Sequence, residues 1–193
     1  MCGRFVVTNP VAKTKGIVKT AIKVEDIENY NAHPAQNLPV VKKYTNGNTL
    51  ELLKWGIIPS WSKKKDFKPL INARLETIDE KISFKKHIKI HRCVAVADGF
   101  YEWKRDGKEK IPFYFIRDDK KMLFIAGIFA DNQFCLITEQ ASQNVNEIFS
   151  SIVSSLAFIS GLKSFCFDQD GVIPHLSNSS VFPFVYFLTT GKF

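Results

Sequence analysis

Two β-prone runs, Leu38–Tyr44 and Thr49–Trp55, flank the four residues Thr45-Asn46-Gly47-Asn48. Asn-Gly between such runs is the strongest short-range hairpin signal, because both residues tolerate the positive φ that a tight turn matching strand twist requires. A chain with this hairpin near its start builds outward into antiparallel sheet. Further strands are expected at Arg4–Val7, Arg92–Ala97 (ending at Asp98-Gly99), Pro112–Ile116, Met122–Phe129 and Phe134–Thr138. Lys13–Asn29, with Ile17, Ala21 and Val24 on one face, and Asp79–Ile90 carry helical periodicity. Tyr30-Asn31-Ala32-His33-Pro34 reads as a loop, since a residue before proline is disfavoured in helix. Many short strands with a few flanking helices give an α+β class with a largely antiparallel sheet.

The 193 residues suffice for one domain with a substantial core. Net charge of +8 and a pI near 9.3 point to an anionic partner, with nucleic acid the commonest candidate. The four cysteines (Cys2, Cys93, Cys135, Cys166) form no C-x-x-C pair, and no signal-peptide-like run opens the chain. These features lead to an expectation of free thiols in a reducing cytoplasm. No apolar stretch reaches the length of a membrane span, the nearest being the serine-rich Phe149–Leu162.

After Ile148 the composition changes. Residues 149–193 hold only four (Lys163, Asp168, Asp170, Lys192) of the chain's 27 basic and 19 acidic residues. They also hold eight of its 17 phenylalanines. A surface is normally about a quarter charged or more, so this segment is either unusually buried or foreign to the preceding fold. The expected division is therefore a domain over 1–148 and a divergent tail over 149–193.

Chemistry centres on Met1-Cys2-Gly3-Arg4. With Met1 removed, Cys2 carries an α-amine and a thiol on adjacent carbons, whose ordinary pKa values of about 8 and about 8.5 leave both partly deprotonated near neutrality. Such an aminothiol condenses with an aldehyde to an imine and closes a five-membered ring through sulfur. Asn72 stands between Ile71 and Ala73, and Glu102 between Tyr101 and Trp103. Strand alternation by itself turns such residues to solvent. The other reading is a partly desolvated carboxylate with a raised pKa, suited to acid–base work. Trp55 and Trp61 fit either a core or a stacking platform, and Arg74 with Lys63-Lys64-Lys65 makes a phosphate-binding groove credible. His87 and His91 have a ligand-like i, i+4 spacing, but without the Glu of H-E-x-x-H, without a third ligand and among lysines. No metal and no cofactor are expected, and no nucleotide-binding or serine-hydrolase motif is present.

Five stretches occur in order: Met1-Cys2-Gly3-Arg4-Phe5, Tyr30–Pro34, Trp55-Gly56-Ile57-Ile58-Pro59-Ser60-Trp61, Ile71-Asn72-Ala73-Arg74-Leu75-Glu76-Thr77, and Arg92-Cys93 through Gly99-Phe100-Tyr101-Glu102-Trp103. Together they resemble the SRAP family of SOS response-associated peptidases, or abasic-site processing proteins, over residues 1 to about 148. The resemblance implies loss of Met1, binding of single-stranded DNA at an abasic site, and a covalent thiazolidine between Cys2 and the ring-opened sugar. It implies Cys2 as nucleophile, Asn72 as positioner of the adduct and Glu102 as general acid–base. Arg4 and Arg74 would hold phosphates, Trp61 would wedge or stack on bases, and Asn31 would line the pocket. Expected alternatives are a cysteine peptidase that removes its own Met1, or a DNA-binding relic. A monomer without membrane contact is expected.

The chain departs from the family pattern after Ile137-Thr138-Glu139-Gln140-Ala141. An Ile-His-x-Arg-Met-Pro motif is expected next, but Phe149 follows Asn146-Glu147-Ile148 where the histidine belongs. His175 matches no motif. A frame disruption or a recombined C-terminus accounts for both the missing motif and the change in composition. It implies adduct resolution weakened more than attack by Cys2.

Overall fold

The computed structural model describes residues 3–62, 66–117, 120–140 and 154–156. The expected hairpin is β4 (Asn37–Tyr44) and β5 (Gly47–Trp55), paired antiparallel from Asn37↔Lys54 to Tyr44↔Gly47. Gly47 takes a φ of 126°, a conformation costly for any residue with a side chain. β7 (Arg92–Ala97) pairs with β4, β10 (Leu123–Ala130) with β7, and β11 (Gln133–Gln140) with β10, all antiparallel. A short parallel pairing of Gln133 and Phe134 with Lys54 and Trp55 returns the path to β5. The five strands β5-β4-β7-β10-β11 thus form a closed ring of ladders. Closure buries the inward faces of the strands, and flanking elements cover much of the outward faces. Cys93, Ala95 and Ala97 join the cluster of Phe5, Trp55, Phe100 and Phe134, while Val94 and Val96 pack outward against Leu50, Met122 and Val11.

A second, four-stranded sheet has the order β3-β1-β8-β9, from β3 (Glu28–Ala32), β1 (Arg4–Thr8), β8 (Gly99–Asp106) and β9 (Glu109–Ile116). It lays Phe5, Val7 and Phe100 against the barrel cluster. Gly99 starts β8 where a Cβ would lie 2.5 Å from the Phe115 carbonyl oxygen, so the chain crosses there with no room for a side chain. The α+β class with a largely antiparallel core matches the expectation.

The helices are much shorter than the periodicity suggests. Pro10 at the first turn begins α1, which ends at Thr14. Thr20–Ile22 then forms the exposed strand β2, parallel to β5. Within 79–90 only His87–Ile90 is helical, as α2. Phe84 and Ile88 bury against Ile57, Ile128 and Ile137, but Ile82 and Ile90 are exposed, so the apolar stripe covers a single turn. Among the described residues no helix is long and apolar enough to cross a membrane. β12 (Ser154–Leu156) pairs antiparallel with Thr138–Gln140, while the remainder of 149–193, with Phe149 and His175, lies outside the described residues.

Candidate active site

The N-terminal strand points at Glu102. β1 pairs with β8 through Arg4↔Tyr101, Phe5↔Phe100 and Val6↔Gly99, and one further step of this register sets Gly3 opposite Glu102. Cys2 itself lies outside the described residues. Alternation along β8 sends Phe100 and Glu102 to the barrel side and Tyr101 and Trp103 to the other, where Tyr101 stands 4.8 Å from the Tyr114 ring and 6.5 Å from that of Trp103. The solvent-facing alternative for Glu102 is therefore overturned: the residue is 5% exposed. Burial pushes its pKa above the ordinary carboxylate value, and the Trp103 backbone N–H and the Arg74 guanidinium pull back against that rise. The result is a carboxyl able to hold a proton beyond the usual range.

Asn72 and Arg74 come from β6 (Asn72–Arg74), which runs parallel to β11 with Leu136↔Asn72, Ile137↔Ala73 and Thr138↔Arg74. Ala73 packs with Ile137 in the outer cluster, so the flanking Asn72 and Arg74 turn with Leu136 toward the barrel side. Both are partly buried, and the Arg74 Nη1 donates to the Glu139 backbone oxygen at 3.1 Å. The Ile71 carbonyl, immediately before Asn72, accepts from Trp55 Nε1 at 2.9 Å and from the Leu136 N–H at 3.0 Å. Trp55 is fully buried between Phe5 (5.2 Å) and Phe134 (6.2 Å), so it is a core residue that anchors the start of β6.

The other expected residues are carried by β1, by β3 and by the stretch after β5. Arg4 is on β1 beside Tyr101. Asn31 is exposed on β3, beside Ala32, which pairs with Phe5, and its N–H is bonded to Asn29 Oδ1 at 3.1 Å. Trp61 is 56% exposed and edge-on to Phe67 at 6.0 Å. Lys63-Lys64-Lys65 lie outside the described residues. His87 and His91 place their Nδ1 atoms 3.0 Å apart, and among the described residues no group of three metal-ligating side chains gathers. Burial and then His91 lower the His87 pKa.

Two features were not legible as site residues. Glu139 supplies the carbonyl that holds Arg74, and burial followed by the Glu76 charge raises its own carboxyl pKa. Asp98, which ends β7, accepts from the Thr8 N–H (2.7 Å) and the Thr8 hydroxyl (2.8 Å). An aspartate directly after an apolar strand and before a glycine was the available signal.

Comparison with known proteins then places the chain. Residues 1–152 match the family model described as SOS response associated peptidase (SRAP). The chain belongs to the SRAP family. It is 37% identical over 134 residues to the abasic site processing protein YoqW of Bacillus subtilis, covering 67% of this chain and 60% of that protein. It is 30% identical over 162 residues to the abasic site processing protein YedK of Escherichia coli, covering 77% of this chain and 72% of that protein. This SRAP chain thus spans about 60% of the length of the Bacillus relatives it matches. A solved structure of a Bacteroides thetaiotaomicron protein shares the SRAP fold at a TM-score of 0.71 and 21% identity, covering 84% of this chain and 78% of that one.

Proposed function

We propose that this SRAP chain captures abasic sites in single-stranded DNA by a covalent thiazolidine at Cys2, formed after Met1 is removed. The observation that carries the reading is Glu102: a buried carboxyl of raised pKa beside the end of the strand that leads to Cys2. The names of the curated relatives as abasic site processing proteins support the same substrate. In the reaction the Cys2 amine attacks C1′ of the ring-opened sugar, and its proton passes to the oxygen. Glu102 delivers a proton to the departing hydroxyl, which leaves as water. The Cys2 sulfur then bonds to the same carbon of the iminium as the thiol proton returns to Glu102, which leaves a neutral ring N–H with one water lost overall. Asn72 orients the adduct. Arg4 and Arg74 hold flanking phosphates without reading sequence. Trp61 packs on a neighbouring base, and Asn31 lines the approach.

Residues 149–193 are, in this reading, a divergent tail, so the chain forms the adduct but resolves it slowly. A downstream reading frame of the gene that lacks the Ile-His-x-Arg-Met-Pro motif would remove the frame-disruption account. The function itself is tested by incubating the protein with single-stranded DNA bearing one abasic site and separating the products under denaturation. A retarded band absent with Cys2→Ala is expected. No band from a folded, Met1-free protein contradicts the proposal. The peptidase reading draws on the family description and the same cysteine, and it predicts cleavage of peptide substrates instead of a DNA adduct.

A further inference from the structure

We infer that Asp98 is a positioning residue that clamps the C-terminal end of the N-terminal strand and thereby steadies the alignment of the Cys2 end of the chain with Glu102. The inference rests on the proposed crosslinking reaction. β1 is held by few main-chain bonds: its pairing with β8 covers only Arg4–Val6, and its pairing with β3 is interrupted by an irregularity between Phe5 and Val7. Burial of Phe5 and Val7 sets which residues of β1 turn into the core, but so short a ladder leaves the fine position and angle of its Arg4 end to few bonds. Asp98 adds to them. One carboxylate oxygen, Oδ2, takes both the backbone N–H and the hydroxyl of Thr8, at 2.7 and 2.8 Å. The other, Oδ1, takes Lys13 Nζ from α1, which also donates to Thr8 Oγ1 at 2.7 Å. The Asp98 N–H in turn donates to the Val6 carbonyl at 2.7 Å.

The clamp therefore grips β1 at its C-terminal end, and the covalent strand carries that fixed position to Gly3, opposite Glu102. Only a residue with both an N–H and a hydroxyl at position 8 completes it. Thr8 is half-buried, and Phe5 and Val7 pack in the core through contacts that do not involve the Thr8 hydroxyl. Loss of the clamp should loosen alignment more than folding, and a misplacement of about 1 Å in a reacting group costs up to about a hundredfold in rate.

The test is single-turnover crosslinking to abasic single-stranded DNA, with rate followed against DNA concentration, for wild type, Asp98→Asn, Thr8→Val and Thr8→Ser. Asp98→Asn and Thr8→Val are expected to lower the saturated rate about ten- to a hundredfold. The half-saturating DNA concentration should change by less than about twofold, since neither residue is assigned a DNA contact. Thr8→Ser restores the hydroxyl and should retain the wild-type rate, and the double variant Thr8→Val/Asp98→Asn should be no slower than the slower single one. Unchanged saturated rates in Asp98→Asn and Thr8→Val overturn the inference, as does a rate lost in proportion to unfolding in melting curves. If wild type itself forms no crosslink, the proposed function fails and not the clamp; amide exchange at Arg4–Val6, faster in Asp98→Asn, then tests the clamp alone.

Discussion

The Arg74 guanidinium acts on the buried carboxyl of Glu102 from a different sheet: Arg74 lies on β6, paired with the barrel strand β11, and Glu102 on β8 of the four-stranded sheet. Burial raises the Glu102 pKa, and the positive charge of Arg74 opposes the rise. The candidate site is thus the seam between the two sheets. Neither sheet assembles it alone.

Glu102→Gln removes the proposed proton donor while keeping the shape. Crosslinking should slow by about 10²- to 10⁴-fold, the usual contribution of a positioned acid–base group, with lesion DNA still bound. For stability, the folded-state pKa is raised above the unfolded one, so the folded state holds the proton more tightly. Stability contributed by Glu102 is present below the unfolded pKa and is lost as pH rises through the folded pKa. Glu102→Gln should therefore be as stable as wild type in acid and more stable than wild type near neutrality, as denaturant titrations across that range would reveal.

Arg74→Gln removes one of the influences that restrain the rise of the Glu102 pKa. The pKa of Glu102, followed by carboxyl NMR, should move further up. DNA affinity should fall at low salt, and the slope of log K against log salt should shrink by about one, since one phosphate contact is lost. An unchanged salt slope would remove Arg74 from the DNA interface.

The two tryptophans of one motif should behave oppositely. Trp55→Ala empties a fully buried site and should cost about 3–5 kcal/mol of stability. Trp55→Phe loses the bond to the Ile71 carbonyl, worth about 1 kcal/mol, although Leu136 still donates there. Trp61→Ala should leave stability within about 0.5 kcal/mol and weaken DNA binding by about 1–3 kcal/mol. Calorimetry of unfolding and a binding titration separate the two.

The hairpin β4–β5 was legible because its signal is local: turn residues between two β-prone runs. The strands around Val94–Ala97 and Phe134–Ile137 were legible because closed-barrel strands are apolar on both faces. The ring closure was not, since it depends on a parallel contact between Trp55 and Phe134, residues far apart in sequence. The helix expected over 13–29 failed because Thr20–Ile22 finds a partner strand in β5, an edge that periodicity does not reveal. At the site, Glu102 could be named from its aromatic neighbours, but its burial and its coupling to Arg74 follow from the packing of two sheets. Asp98 was not legible, because the group it holds, Thr8, is 90 residues away along the chain.

The most direct test of the central claim is mass spectrometry of the protein after reaction with a short single-stranded DNA carrying one abasic site, followed by digestion of both. The account predicts an N-terminal peptide that begins at Cys2 without Met1, carries the sugar fragment with loss of one water, and withstands denaturation. A peptide that retains Met1, or a sugar fragment attached to a lysine instead of Cys2, would contradict it.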